Sequence, residues 1–430
     1  MKTTTDLHGS FFTAAPEKLA EALLARFLRY TRINTQSDPE KADAGIMPST
    51  EGQRQLAGML AGELRAMGIP AEVDANSYLL ARIPPSPGKE NAPVFGLCAH
   101  LDTSPDAPGG PVQPLVHENY GGQPLNLPGG VTLDPQTDCA LQACTGGTIV
   151  TSDGNTLLGA DDKAGIAGIL TLAEFLVSAP DFAHGPVEIL FSPDEETGHG
   201  MDKVPLDKIT AKAFYTVDGG DLGEIEDECF HAWKCKAGFH GVAAHLGDAK
   251  GKMVNALQMA AAFVSMLPRQ ESPETTEGRE GYYCPLEMSG SLEYAEVTVF
   301  LRDFTESGIS RRIRCVEAVA RAVQETFPGG TVSVESGRQY SNMKEKLDEH
   351  PEVLALAVQA AEACGVRVRS APIRGGTDGS RLTELGIPTP NLFTGGHNFH
   401  SRTEWISLDQ MVKMTETLIT LTKLWSERHV

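Results

Sequence analysis

Apolar residues along this chain fall into two rhythms, and the switches between them predict most of its elements. From Pro16 the run EKLAEALLARFLRYTRI sets Leu19, Leu23, Leu24, Phe27 and Leu28 on one helical face. A second helix is predicted over 53–67, between the start signal Pro48-Ser49-Thr50-Glu51 and Gly68. Short strands follow at 72–74 and 78–83, and continuous apolar runs at 94–99, 187–191 and 213–217 suit strands buried on both faces. Residues 164–177 are small and apolar enough for a well-buried helix. Near position 227 the rhythm changes. Stretches 229–243 and 286–304 interleave polar and apolar side chains, as antiparallel strands with one solvated face do. With helices at 253–267 and 310–327 and a strand at 331–335, they form a βαββαβ pattern. Beyond it come a helix at 353–364, a strand at 367–370, a glycine loop at 374–379, and helices at 380–385 and 408–425.

At 430 residues the chain exceeds the roughly 250–300 at which one hydrophobic core stops growing. The expectation is an α/β protein: a central mixed sheet flanked by helices from 1–227 and 339–430, and an inserted α+β, ferredoxin-like lid/dimerisation domain at 228–338. Apolar content of 41% against 22% charged argues for packed cores. The net charge of −21 argues against nucleic acid and anionic membranes as partners. No apolar run nears the roughly 20 residues that span a bilayer, and the N-terminus lacks a signal core, so a cytoplasmic location is expected. Residues 1–15 read as a loose extension, and the Gly/Pro-rich 104–147 as a long irregular excursion. Eight cysteines without a CxxC pair read as reduced thiols, leaving histidine and carboxylates to hold any metal.

Several motifs have chemical potential, each with a plainer reading. Glu195 and Glu196 stand side by side after a strand, a repulsion that a cation relieves, although most such acids are solvated turns. His100 and Asp102 face the same side of an extended segment, so the acid orients a metal-bound ring or both cap a loop. Asp161 and Asp162 precede a helix, where one acid is worth roughly 0.5–2 kcal/mol as a cap, and a cap needs only one. Asp218 ends a third apolar strand. Strand carboxyl ends line the ligand crevice of open α/β sheets, and here they carry His100, Glu196 and Asp218. With Asp161 and His400 these make a histidine and oxygen set suited to zinc, and a shared acid gives a two-metal site about 3.5–4 Å across.

The runs AHLDTSPD, LLGADDKAGIA, SPDEETG, YTVDGG, IRGGTDGS and NLFTGGHNFH resemble the zinc aminopeptidases of the M20 class. The resemblance extends from about Leu19 to the C-terminus. HLGDAKGKMVNAL at 245–257 and SPETTEGREGYY at 272–283 are similar to the branch that acts on tripeptides. It implies two zinc ions per subunit held by His100, Asp161, Glu196, Asp218 and His400, with Asp161 bridging and the remaining division open. Asp102 is then the orienting acid and Glu195 the general base. His245 reaches the oxyanion from the lid of a partner subunit, making the protein a homodimer, and Asn342 and Arg374 hold the substrate. Hydroxide bridging the metals attacks the scissile carbonyl while Glu195 carries the proton to the leaving amine. Lys163 reads as a structural partner of the acidic cluster and not a Schiff-base lysine, because nothing around it would desolvate it without also supplying negative charge; His199 and His397 depart from the family pattern, and His397 is the alternative to His400 as a ligand. The implied function is release of the N-terminal residue from tripeptides, short peptides being the substrate. The alternatives are a dipeptidase, aminoacylase or carboxypeptidase with the same dizinc chemistry, or a non-catalytic metal-dependent binding protein.

Overall fold

The computed structural model describes residues 16–428, and the expected N-terminal extension lies outside them. The chain divides into two compact units. The first comprises the chain up to Asp227, Lys346–Ala371 and the segment from Thr377; the second is Glu228–Glu345 with Pro372–Gly376.

The first unit is built on an eight-stranded mixed sheet. Its strand order is Ala71–Val73, Leu79–Ile83, Val187–Ser192, Phe95–His100, Phe214–Gly219, Asn391–Phe393, Glu224–Cys229, Arg369–Ile373. Four adjacent strands, from Val187–Ser192 to Asn391–Phe393, run parallel, so their carboxyl ends share one edge. Every residue of Phe95–His100 and Val187–Ser192 is buried, including Glu188, whose carboxylate pairs with Arg82 and accepts from the Thr210 and Ala211 N–H groups. Helices Pro16–Thr31, Glu51–Ala66, Ala160–Ser178, Pro351–Ala363 and Leu408–Ser426 supply the rest of that core. Trp425 on the last helix stacks on Phe95 at 5.5 Å, and its indole N–H donates to the Tyr215 hydroxyl at 3.0 Å.

The 104–147 excursion is more ordered than its composition suggests. It contains the strand Leu115–His117, the pair Leu125–Asn126 and Thr132–Leu133, and the helix Cys139–Ala143. Leu115–His117 joins a second sheet with Ile149–Thr151, Trp405–Ser407 and Gly396–His397. Strands of two or three residues are too short to show a period, and distant partners define them.

In the second unit the antiparallel strands Tyr282–Gly290, Tyr294–Asp303, His231–His240 and Thr331–Tyr340 lie in that order. Helices Ala256–Met266 and Glu306–Thr326 pack on the sheet around Phe239, Phe263, Val297 and Val316. Chain order is β-α-β-β-α-β. Among the described residues, no helix is long and apolar enough to cross a membrane.

Candidate metal centre

The shared strand edge is where the predicted ligands meet. His100 is the last residue of its strand and lies in register with Ser192, just before the turn carrying Glu195 and Glu196. Asp218 is next to last on Phe214–Gly219. His400 follows the strand Asn391–Phe393 and has a left-handed backbone, φ 59°, uncommon for a residue with a Cβ. The helix Ala160–Ser178 lies so close to Phe214–Gly219 that a Cβ on Gly165 would sit 1.9 Å from the Val217 carbonyl oxygen. That approach brings Asp161 and Asp162, whose φ/ψ angles are non-helical, beside Asp218.

Asp161 stands at the centre. Its Oδ1 lies 2.7 Å from His100 Nε2, and its Oδ2 lies 3.3 Å from His400 Nε2. Asp218 Oδ1 is 3.5 Å from His100 Nε2 on one side; Glu196 Oε2 is 2.9 Å from His400 Nε2 on the other. Ligand atoms of His100, Asp162 and Asp218 lie within 4.8 Å of one another, as do those of His100, Asp161 and Glu196. Asp162 also accepts hydrogen bonds from the backbone N–H groups of His100, at 3.2 Å, and Gly165, at 3.1 Å.

The residues around these ligands are largely ones the sequence left unmarked. Asp102, fully buried, has Oδ1 at 3.4 Å from His100 Nδ1, yet its hydrogen bonds are accepted from Glu195 N–H at 3.0 Å and Glu196 N–H at 3.2 Å. It therefore holds the acidic turn as well as facing the ring. Buried Glu404 accepts from the N–H groups of Leu158, Gly159 and Asp161 at 2.7, 2.8 and 3.2 Å, tying the Asp161 loop to the segment after His400. Asp378, also buried, accepts from the Ser192 hydroxyl. Only the local pattern DG before a helix distinguishes Asp378, and nothing distinguishes Glu404.

So many buried acids raise one another's proton affinity. Burial, reinforced by Asp161, pushes Glu196 up to about 8 and Asp218 up to about 6. Burial also drives Glu195 well above the usual carboxylate range. Burial opposes a charge on His100 and His400, but Asp218, Asp102 and Asp161 raise His100 well above its ordinary value, while Asp161 and Glu196 push His400 up to about 12. Glu196 Oε1 is buried without a hydrogen-bond partner. A divalent cation would satisfy that oxygen and relieve the crowding, and the donors, two imidazoles and carboxylates, suit zinc. The residues present fit such a group.

The sequence profile of the peptidase family M20/M25/M40 matches residues 151–423. The chain belongs to peptidase family M20. It is 42% identical to peptidase T of Shouchella clausii over 95% of this chain and 100% of that protein. It is 41% identical to peptidase T of Clostridium perfringens over 94% of this chain and 98% of that one. The crystal structure of the aminopeptidase PepT from Bacillus cereus shares the fold with TM-score 0.74 and 21% identity, covering 95% of this chain and 99% of that chain. A Bacillus subtilis M20 protein described as a dinuclear metal-binding peptidase matches with TM-score 0.64 and 15% identity over 95% and 98% of the two chains.

The three residues expected to contact substrate all lie in the second unit. His245 is exposed at the start of a short 3-10 turn, and its Nδ1 accepts from Gly247 N–H at 3.2 Å. Asn342 is buried: its Oδ1 accepts from the N–H groups of Cys229 and Lys344, and its Nδ2 donates to the Phe304 carbonyl. Arg374 donates to the carbonyls of Gly278 and Glu280 and to the Thr276 hydroxyl, and lies over the rings of Phe230 and Tyr282. In this conformation both side chains serve their own unit's loops. Lys163 is 1% exposed, and burial lowers it to about 7 against the pull of Glu404 and Asp102, the negative charge expected beside it, while Nζ donates to the Ile33 carbonyl. His397 stacks on Trp405 and pairs through Nδ1 with Asp221 at 2.8 Å; His199 bridges Asp202 and Asp43.

Proposed function

We propose that this chain is a dizinc aminopeptidase that releases the N-terminal residue from tripeptides. The observation that carries the metal reading is Asp161, with one oxygen toward His100 and the other toward His400. On this reading Asp161 is shared, Asp218 and His100 complete one zinc site, and Glu196 and His400 complete the other. Bound there, two zinc ions would act as Lewis acids and lower the pKa of water between them.

The protein's own residues would then do the following. Glu195, adjoining a ligand on the same turn, accepts a proton from the attacking water and returns it to the leaving amine. Its two-way role needs a carboxylate that is ionised at rest, and cationic charge beside it favours that form. Asp102 keeps the backbone of Glu195 and Glu196 in place through the two peptide N–H groups. Exposed His245 is the residue this reading gives to the developing oxyanion, supplied from a partner subunit, so it predicts a homodimer. The peptidase T relatives, at 41–42% identity over nearly the whole chain, support the choice of substrate.

A panel of free tripeptides, free dipeptides and N-acetylated tripeptides tests the proposal, each assayed before and after chelation. Fastest cleavage is expected at the N-terminal bond of free tripeptides, abolished by chelation and restored by zinc. Faster cleavage of acetylated peptides or at the C-terminal bond would reject the aminotripeptidase reading in favour of an acylase or carboxypeptidase.

A further inference from the structure

The turn carrying Glu195 and Glu196 is only three residues of 3-10 helix, and the acids on it repel each other. What fixes its starting point is Asp194, which is fully buried and left-handed, φ 56°. A residue with a Cβ holds that conformation when its surroundings determine it. Those surroundings come from a segment more than 140 positions away in sequence. Ser49 gives Asp194 its backbone N–H at 2.8 Å and its hydroxyl at 2.5 Å, and Gln53 Nε2 donates to the same carboxylate at 2.7 Å. In return, the Asp194 N–H donates to Gln53 Oε1 at 3.0 Å. The Gln53 amide thus closes a two-bond pair with the backbone and side chain of one residue. Gln53 is fully buried and Ser49 is 3% exposed, so water does not replace these partners. Ser49 is anchored in turn, its hydroxyl accepting from Asp38 N–H at 2.9 Å.

The acidic turn is therefore held at two points. Asp102 takes the N–H groups of Glu195 and Glu196, while Ser49 and Gln53 hold the residue immediately before them. We infer that Ser49 and Gln53 are positioning residues for the general base Glu195 and the ligand Glu196, acting through Asp194. Without them, a buried carboxylate and a buried N–H lose their partners, and the peptide leading into the turn loses the contacts that define its φ and ψ. Reaction geometry is steep enough that a shift of about 1 Å costs on the order of 10²-fold in rate. The brace touches neither Asp218 nor His100, so its loss acts on one side of the centre.

The inference rests on the dizinc reading, and the experiment separates the two. Ser49→Ala, Gln53→Met, Ser49→Thr and Glu196→Gln are prepared as full chains, and folding is checked by circular dichroism. Each is assayed for kcat and KM on a tripeptide and titrated with zinc against a competing chelator. Ser49→Ala and Gln53→Met are expected to lower kcat about tenfold or more with KM within about threefold, and to weaken one zinc equivalent about 10–100-fold while the other binds as in the unmodified protein. Ser49→Thr, which keeps the hydroxyl, is expected to restore both values. Should Gln53→Met fail to fold, Ser49→Ala decides the matter, because it keeps the backbone donor to Asp194. A folded Ser49→Ala with a lowered melting temperature but unchanged kcat and zinc binding would overturn the inference, provided Glu196→Gln loses one equivalent. Two undisturbed equivalents in Glu196→Gln would instead overturn the dizinc reading on which it stands.

Discussion

Glu195 sits among Glu196, Asp218 and Asp378, where burial and those charges hold its carboxyl well above its ordinary range, with His100 pulling the other way. A group so placed is a poor base until cationic charge arrives beside it, so on the proposed reading its chemistry and the metal's are coupled. Glu195→Gln preserves shape and removes the proposed base. We expect steady-state hydrolysis to fall by roughly 10²–10⁴-fold with zinc content unchanged. Activity at the level of the unmodified protein would place the base elsewhere. At this scale the sequence marks the proposed ligands and misses the residues that hold them. His100, Glu196 and Asp218 follow apolar runs and so betray themselves as polar strand ends. Glu404, Gln53 and Ser49 are ordinary residue types that reach the site through partners 141–246 positions away, and the local pattern marks Ser49 only as part of a helix start. Asp102 was legible as a neighbour of His100, but its bonds to the Glu195 and Glu196 backbone depend on two strands meeting in register.

Between elements, the pairing of Glu224–Cys229 with Asn391–Phe393 has consequences for the site. Asn391 donates through Nδ2 to Glu226 at 2.6 Å and accepts through Oδ1 from Asp218 N–H at 3.2 Å, linking that pairing to a ligand strand. Burial pushes Glu226 up to about 8. The folded protein then holds the Glu226 proton more tightly than the unfolded chain, where the carboxyl titrates near 4.5. Stability from this group is consequently lost as pH rises from about 4.5 to about 8. Glu226→Gln should flatten that fall, melting above the unmodified protein at pH 8 and level with it near pH 4.5. Identical pH profiles for the two proteins would refute the assignment. The helices and long buried strands were legible from their periods because each buries a continuous apolar face. The sheet of Leu115–His117, Ile149–Thr151, Trp405–Ser407 and Gly396–His397 was not, since its strands are two or three residues long and it assembles from three separate stretches.

Over the whole molecule, the first unit draws the proposed ligands from widely separated stretches: four lie before Asp227, and His400 lies after the chain has returned from the second unit. That order was legible because the change of rhythm near 227 marks where one kind of sheet gives way to another. The return was harder to see, for the second unit runs on to Glu345 and takes back Pro372–Gly376, where the chain offers glycines and no period. Membership of family M20 makes the chain a peptidase.

The central claim is that Asp161 is shared between two cations, and counting them tests it most directly. Zinc bound per chain is measured by equilibrium dialysis for the unmodified protein, Asp161→Ala and Asp218→Ala. Two equivalents are predicted for the unmodified protein, a weakening of both in Asp161→Ala, and a weakening of one in Asp218→Ala. A single equivalent in the unmodified protein, or two tightly bound equivalents in Asp161→Ala, would contradict the account.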